Sequence, residues 1–88
     1  MNTNPFFPTV RSELFDVLKI PPEQVTTEAD LVEDLKLDSQ DTHQLVMALE
    51  EVLSMEIPEQ ELSKVHTVGE LVDYLSNKAE SQYIGQGL

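Results

Sequence analysis

The sequence contains no cysteine. That excludes a disulfide framework, a thiolate metal site and a cysteine nucleophile within the polypeptide. Basic residues are also scarce, five Lys and Arg against 17 Asp and Glu, for a formal charge of −12. The acids run from Glu13 to Glu80 rather than forming a tail, so a broadly negative folded surface is expected. Nucleic acid is an unsuitable partner for such a surface, because that affinity depends on phosphate contacts from Lys and Arg. Anionic membranes repel it for the same reason, and the partners it suits are proteins with basic patches. No apolar run is long enough to cross a bilayer, and the start, MNTNPFFPTVRSEL, has neither a basic leader nor a sustained apolar stretch. A monomer in the cytoplasm is the expectation.

Strand-like alternation is missing too, and apolar residues recur instead at steps of three and four. Val10, Leu14, Val17 and Leu18 share one face of a first helix, which Pro21 and Pro22 must end. A long connection over residues 19–37 follows, with Val25, Leu31, Leu35 and Leu37 as anchors and Thr27 with Asp30 resembling a capping box. The second helix is the clearest, since Thr42, Leu45, Val46, Leu49, Val52 and Leu53 fall within an arc of roughly 120°. After Ile57 and Pro58, residues 59–65 suit a short third helix, and Thr67-Val68-Gly69-Glu70 reads as a capping box opening a fourth. Val68, Leu71, Val72 and Leu75 would face inward from it. With 88 residues the chain is expected to be one all-α domain, 1–88, whose termini 1–7 and 79–88 fray. Its architecture would be a small four-helix bundle, three longer helices and one short, with a long loop between helices 1 and 2. A second lobe or deep cleft does not fit this length, so an enzyme is not expected.

The stretch LKLDSQDTHQLVMALEEVL poses the functional question. Asp38 is a good N-cap for the second helix, and Asp41 adds negative charge where the helix dipole favours it. On one reading Ser39 is merely the first residue of a capped helix. On the other, its hydroxyl stands clear of the core on a rigid element, beside backbone N–H groups suited to a phosphate, and serves as an attachment point.

The surroundings bear on that choice. VEDL at 32–35, the Asp38-Ser39 pair, LVMALEE at 45–51, Glu56-Ile57-Pro58 and Thr67-Val68 resemble an acyl carrier protein of fatty-acid and polyketide synthesis, over most of the chain. The resemblance implies a 4′-phosphopantetheine arm, donated from coenzyme A by a magnesium-dependent phosphopantetheinyl transferase and esterified to Ser39, with Asp38 helping the transferase and its metal engage. The arm's thiol would carry acyl groups to partner enzymes with basic patches, such as ketosynthases or acyltransferases. The inward helix faces would form a core able to shelter the acyl chain. Absence of cysteine is compatible with a thiol that arrives on the cofactor.

The family's second helix carries most partner recognition, which directs attention to Gln40, Asp41, His43, Gln44, Met47, Glu50 and Glu51 here. Where typical members have Asp-Ser-Leu this chain has Asp38-Ser39-Gln40, and His43 and Gln44 replace an aliphatic residue followed by an acid. Either these are drift on a solvated face or they mark a specialised carrier with dedicated enzymes. Met47 is apolar on the outer face and fits a partner contact, while Glu50 and Glu51 would draw a basic patch. His43 and His66 lack the spacing for a metal or catalytic site, and the acidic stretches 28–34 and 56–61 would hold divalent cations only loosely. Two alternatives remain open: an aminoacyl or peptidyl carrier on the same arm, and an unmodified acidic helical adaptor.

Overall fold

The computed structural model describes residues 5–86, with side chains through residue 79. Three α-helices, α1 (Phe6–Leu18), α2 (Ser39–Leu53) and α3 (Val68–Gln86), are joined by irregular chain containing two 3-10 segments, η1 (Pro22–Gln24) and η2 (Glu59–Lys64). No strand occurs among the described residues, only an isolated bridge between Asp30 and Thr67. This is the expected all-α arrangement, with η2 as the short third helix and residues 19–38 as the long crossover.

Each boundary has a local cause. The α1 helix ends at Lys19, whose left-handed φ of 61° turns the chain so that the Ile20 N–H reaches back to the Leu14 carbonyl at 3.2 Å, and this turn precedes the prolines that forbid continuation. Ser54 ends α2 the same way, with φ 53°. The capping box expected before the last helix is present: Glu70 N–H donates to Thr67 Oγ1 at 3.1 Å, and Glu70 Oε1 accepts from His66 N–H at 2.7 Å and Thr67 N–H at 3.4 Å.

The core is one apolar cluster in which Val10 and Leu14 of α1 meet Leu45, Val46 and Leu49 of α2 and Val68, Leu71, Val72 and Leu75 of α3. The crossover belongs to it through Ile20, Val25, Ala29, Leu35 and Leu37. Fully burying a Leu or Val contributes about 1.5–3 kcal/mol, so several such anchors fasten the crossover to the core.

Several details differ from the sequence expectation. Val17 is only half-buried, and Val52 is 53% exposed because it lies in the last turn of α2, just before Ser54 redirects the chain. The crossover turn is capped by Asp30 rather than Thr27: Asp30 Oδ1 accepts from Val32 and Glu33 N–H at 2.9 and 2.8 Å, and Asp34 Oδ2 accepts from Asp30 N–H at 2.8 Å. Thr27 instead offers its carbonyl to Gly69 N–H at 2.9 Å, tying the crossover to α3. At the ends, α1 already begins at Phe6, where Phe6 and Phe7 pack against the core, and the α3 backbone stays helical to Gln86. Residues 1–4 and 87–88 of the segments expected to fray lie outside the described residues.

Candidate functional site

The N-terminus of α2 is built by a reciprocal pair of aspartates. Asp38 is extended, with φ −98° and ψ −174°, and its Oδ1 accepts from Asp41 N–H at 2.7 Å, while Asp41 Oδ2 accepts from Asp38 N–H at 3.4 Å. Asp38 therefore caps as expected, and Asp41 does more than add charge: it closes the box, satisfying a second backbone donor. This pins the first turn and presents Ser39 outward as the first helical residue. Its hydroxyl makes no hydrogen bond with any described residue.

A groove opens beside that hydroxyl. Asp38, Ser39, Thr42 and His43 of the α2 end form one side, with Val32 and Leu37 from the crossover and Glu59, Leu62 and Ser63 from η2 completing it. Val32, Leu37, Thr42, Leu62 and Ser63 also line a cavity of about 250 Å³ that continues inward to Leu45, Val46, Leu49, Ile57 and Leu71. The surface hydroxyl and the apolar interior thus share walls. Val32, 63% exposed, is an apolar residue left bare at the groove.

The η2 wall is tied by polar contacts. Glu59 pairs with His43 Nδ1 of α2. Glu61 accepts from the Tyr74 hydroxyl and, at 3.2 Å, from Lys78 Nζ, both on α3. The hydrogen bond from Tyr74, then that from Lys78, hold the Glu61 carboxyl below its usual range. Burial, then the Glu61 carboxylate, push the Tyr74 hydroxyl well above its ordinary value.

The outer-face residues singled out in the sequence divide into two groups. Gln40, Gln44, Met47 and Glu51 are exposed, Met47 to 55%. Asp41, His43 and Glu50 have intramolecular work: Asp41 in the cap, His43 with Glu59, and Glu50 accepting from Ile57 N–H at 2.9 Å in the turn after α2. Among the described residues no three His, Asp or Glu side chains converge as a metal site, and in the acidic stretch 28–34 the Asp30 and Asp34 carboxylates accept from backbone N–H groups. The groove residues Val32, Glu59, Leu62 and Ser63 were not legible beforehand. Glu59 and His43 are separated by 16 positions, beyond any local spacing rule.

Comparison with known proteins decides the family. The family described as a phosphopantetheine attachment site matches residues 8–75. An acyl carrier protein of Thermosynechococcus vestitus is 41% identical over 78 residues, spanning 89% of this chain and 96% of that protein. The chain belongs to the acyl carrier proteins. An acyl carrier protein of Wolinella succinogenes is 44% identical over 69 residues, 78% of this chain and 91% of its own. A solved structure of acyl carrier type from Mycobacterium tuberculosis superposes with a TM-score of 0.73 at 22% identity, covering 81% of this chain and 95% of that one, which shows the shared fold. Acyl carrier proteins are carriers rather than enzymes. Membership implies a covalently attached 4′-phosphopantetheine and dealings with a phosphopantetheinyl transferase and acyl-handling enzymes. An outward hydroxyl on a rigid helix end, at the mouth of a groove with an apolar interior, suits that group. No described helix is long and apolar enough to cross a membrane.

Proposed function

We propose that Ser39 is the attachment point of the phosphopantetheine arm and that the groove between α2 and η2 leads an acyl chain from there into the cavity. The observation that carries this reading is the exposed Ser39 hydroxyl at the first position of a doubly capped helix, where that groove begins. The arm supplies a thiol, which the polypeptide lacks, to hold an acyl group as a thioester. The chain's own residues do the rest. Asp38 and Asp41 hold the hydroxyl clear of the core for a phosphopantetheinyl transferase, and Leu45, Val46, Leu49 and Leu71 offer apolar walls to the carried chain. A cavity of about 250 Å³ with mostly apolar walls offers the concave, apolar setting that an acyl chain requires. Fatty-acid and polyketide enzymes with basic patches are the partners this negative surface suits, in the cytoplasm.

Incubation with coenzyme A, Mg²⁺ and a broad-specificity transferase tests the attachment by intact mass. Wild type gains about one phosphopantetheine, ~340 Da, and Ser39→Ala gains nothing. Equal gain in both would move the arm elsewhere.

We further propose that the exposed face of α2 makes this a specialised carrier. Gln40 stands beside Ser39, where the resembled pattern has leucine, and Gln44 stands where it has an acid. An apolar contact at an interface centre is worth roughly 1–2 kcal/mol, on the order of tenfold in partner choice. Gln40→Leu is therefore expected to raise elongation by a generic fatty-acid synthase about tenfold, and an unchanged rate contradicts the specialised reading. His43→Val is a poorer test, because it also removes the contact with Glu59.

A further inference from the structure

The η2 segment walls the cavity, yet none of its residues is buried. Leu62 alone among them packs against the core, half-buried. A segment with so little apolar anchorage is held by its polar ties, and it has one on each side. Glu59 reaches His43 on α2, and two residues on, Glu61 reaches Tyr74 and Lys78 on α3. The ties differ in place: His43 and Glu59 both line the groove that begins at Ser39, whereas the Glu61 cluster grips the α3 side.

We infer that η2 is a lid over the cavity and that the His43–Glu59 pair is its latch, setting how readily a chain carried near Ser39 passes between the groove and the interior. The lid follows from the fold alone, while its effect on cargo rests on the attachment proposed above. Both latch side chains are more than half exposed, 56% and 57%. Polar contacts at such exposed sites shift equilibria by only a few-fold. That magnitude suits a latch, since a deeply buried pair would keep the lid shut. The sequence change that makes it possible is the imidazole itself, for an aliphatic residue at position 43, as in the resembled pattern, has nothing to offer a carboxylate at 59.

The test has two arms, on wild type, His43→Ala, Glu59→Gln and the exchanged pair His43→Glu with Glu59→His. In the unmodified chain, amide hydrogen exchange is followed at Glu61 and Val65, whose N–H groups close η2 onto the Pro58 and Leu62 carbonyls at 3.1 and 3.0 Å. Both single variants are expected to exchange about threefold faster there, with α1 amides unchanged, and the exchanged pair to return to the wild-type rate. In chains loaded with an octanoyl thioester, hydroxylamine cleavage is expected to accelerate about threefold in the same variants and to recover with the exchanged pair. Unchanged exchange at Glu61 and Val65 overturns the latch. Faster exchange with unchanged cleavage overturns the gating role and leaves the pair a structural tie. A chain that takes no arm at Ser39 refutes the attachment instead, and the exchange measurements still decide the latch.

Discussion

Ser39 and its neighbours show which single residues can be read from sequence and which cannot. The cap is legible because Asp38 and Asp41 are three apart, the spacing at which a side chain at a helix start meets a backbone N–H of the first turn. His43 is not, because its partner is brought to it by the fold: as a letter in the sequence it is a polar residue on an outer face, and in the structure it holds η2. Glu50 looks like surface charge in the same way, yet it accepts from Ile57 N–H in the following turn. The Asp38 reading has a stability consequence that separates capping from any role toward a transferase's metal. Asp38→Ala should cost about 1 kcal/mol, whereas Asp38→Asn, which keeps a capping oxygen, should cost only a few tenths. Urea unfolding midpoints measure both. If Asn also slows arm attachment strongly while leaving stability intact, the carboxylate charge serves the transferase as well as the helix.

Among the elements, the helices and the apolar anchors of the crossover, Val25, Leu35 and Leu37, were readable, and the polar contacts within the crossover were not. The spacing of Leu45, Val46 and Leu49, and of Val68, Leu71, Val72 and Leu75, follows the helical period, and all seven are buried. The crossover has no period, so Thr27 with Asp30 resembled a box by spacing alone, whereas Asp30 pairs with Asp34 and the backbone that follows. What fixes the crossover against α3 is a close approach at Gly69: its N–H reaches the Thr27 carbonyl at 2.9 Å, and a Cβ there would stand 3.0 Å from that oxygen. Sequence shows a glycine in the first turn of a helix but not the backbone lying over it. Gly69→Ala sets a helix-propensity gain of up to about 1 kcal/mol against a steric cost of about 1–3 kcal/mol. Net destabilisation of about 1 kcal/mol is expected, read as a lowered thermal midpoint. A stabilised variant would mean that the crossover yields easily at this point.

For the whole molecule, the dominant fact is the surplus of acid, −12 in 88 residues. It was visible from composition, but where repulsion concentrates was not. Glu13 of α1 has its carboxyl held above the ordinary range, by partial burial first and then by Asp16 and Glu51. Asp16 lies on α1 itself and Glu51 on α2, so the repulsion acts first within the helix and then between helices. A carboxyl whose folded pKa is raised binds its proton more tightly in the folded state, so the fold loses stability as pH rises through the window from the unfolded pKa to the folded one. Above that window this cost is present in full. Glu13→Gln is therefore expected to raise the unfolding midpoint at pH 7, with the advantage shrinking as pH falls through that window, from the raised folded pKa down to the ordinary carboxyl value. Asp30 works in the opposite direction, its carboxyl being held low by the Glu33 and Val32 N–H groups, so its contribution is present above the unfolded pKa and lost in acid. An advantage for Glu13→Gln that grows on acidification would contradict this assignment.

The claim on which the carrier account stands is that one hydroxyl at the tip of α2 bears the cargo. Mass mapping of the chain purified from the cell that makes it tests this most directly, because trypsin releases residues 37–64 as one peptide containing Ser39, Ser54 and Ser63. The account predicts that this peptide carries ~340 Da or more, with fragmentation placing the added mass on Ser39. A bare Ser39 in a cell that contains the transferase, or an arm on Ser54 or Ser63, would contradict it.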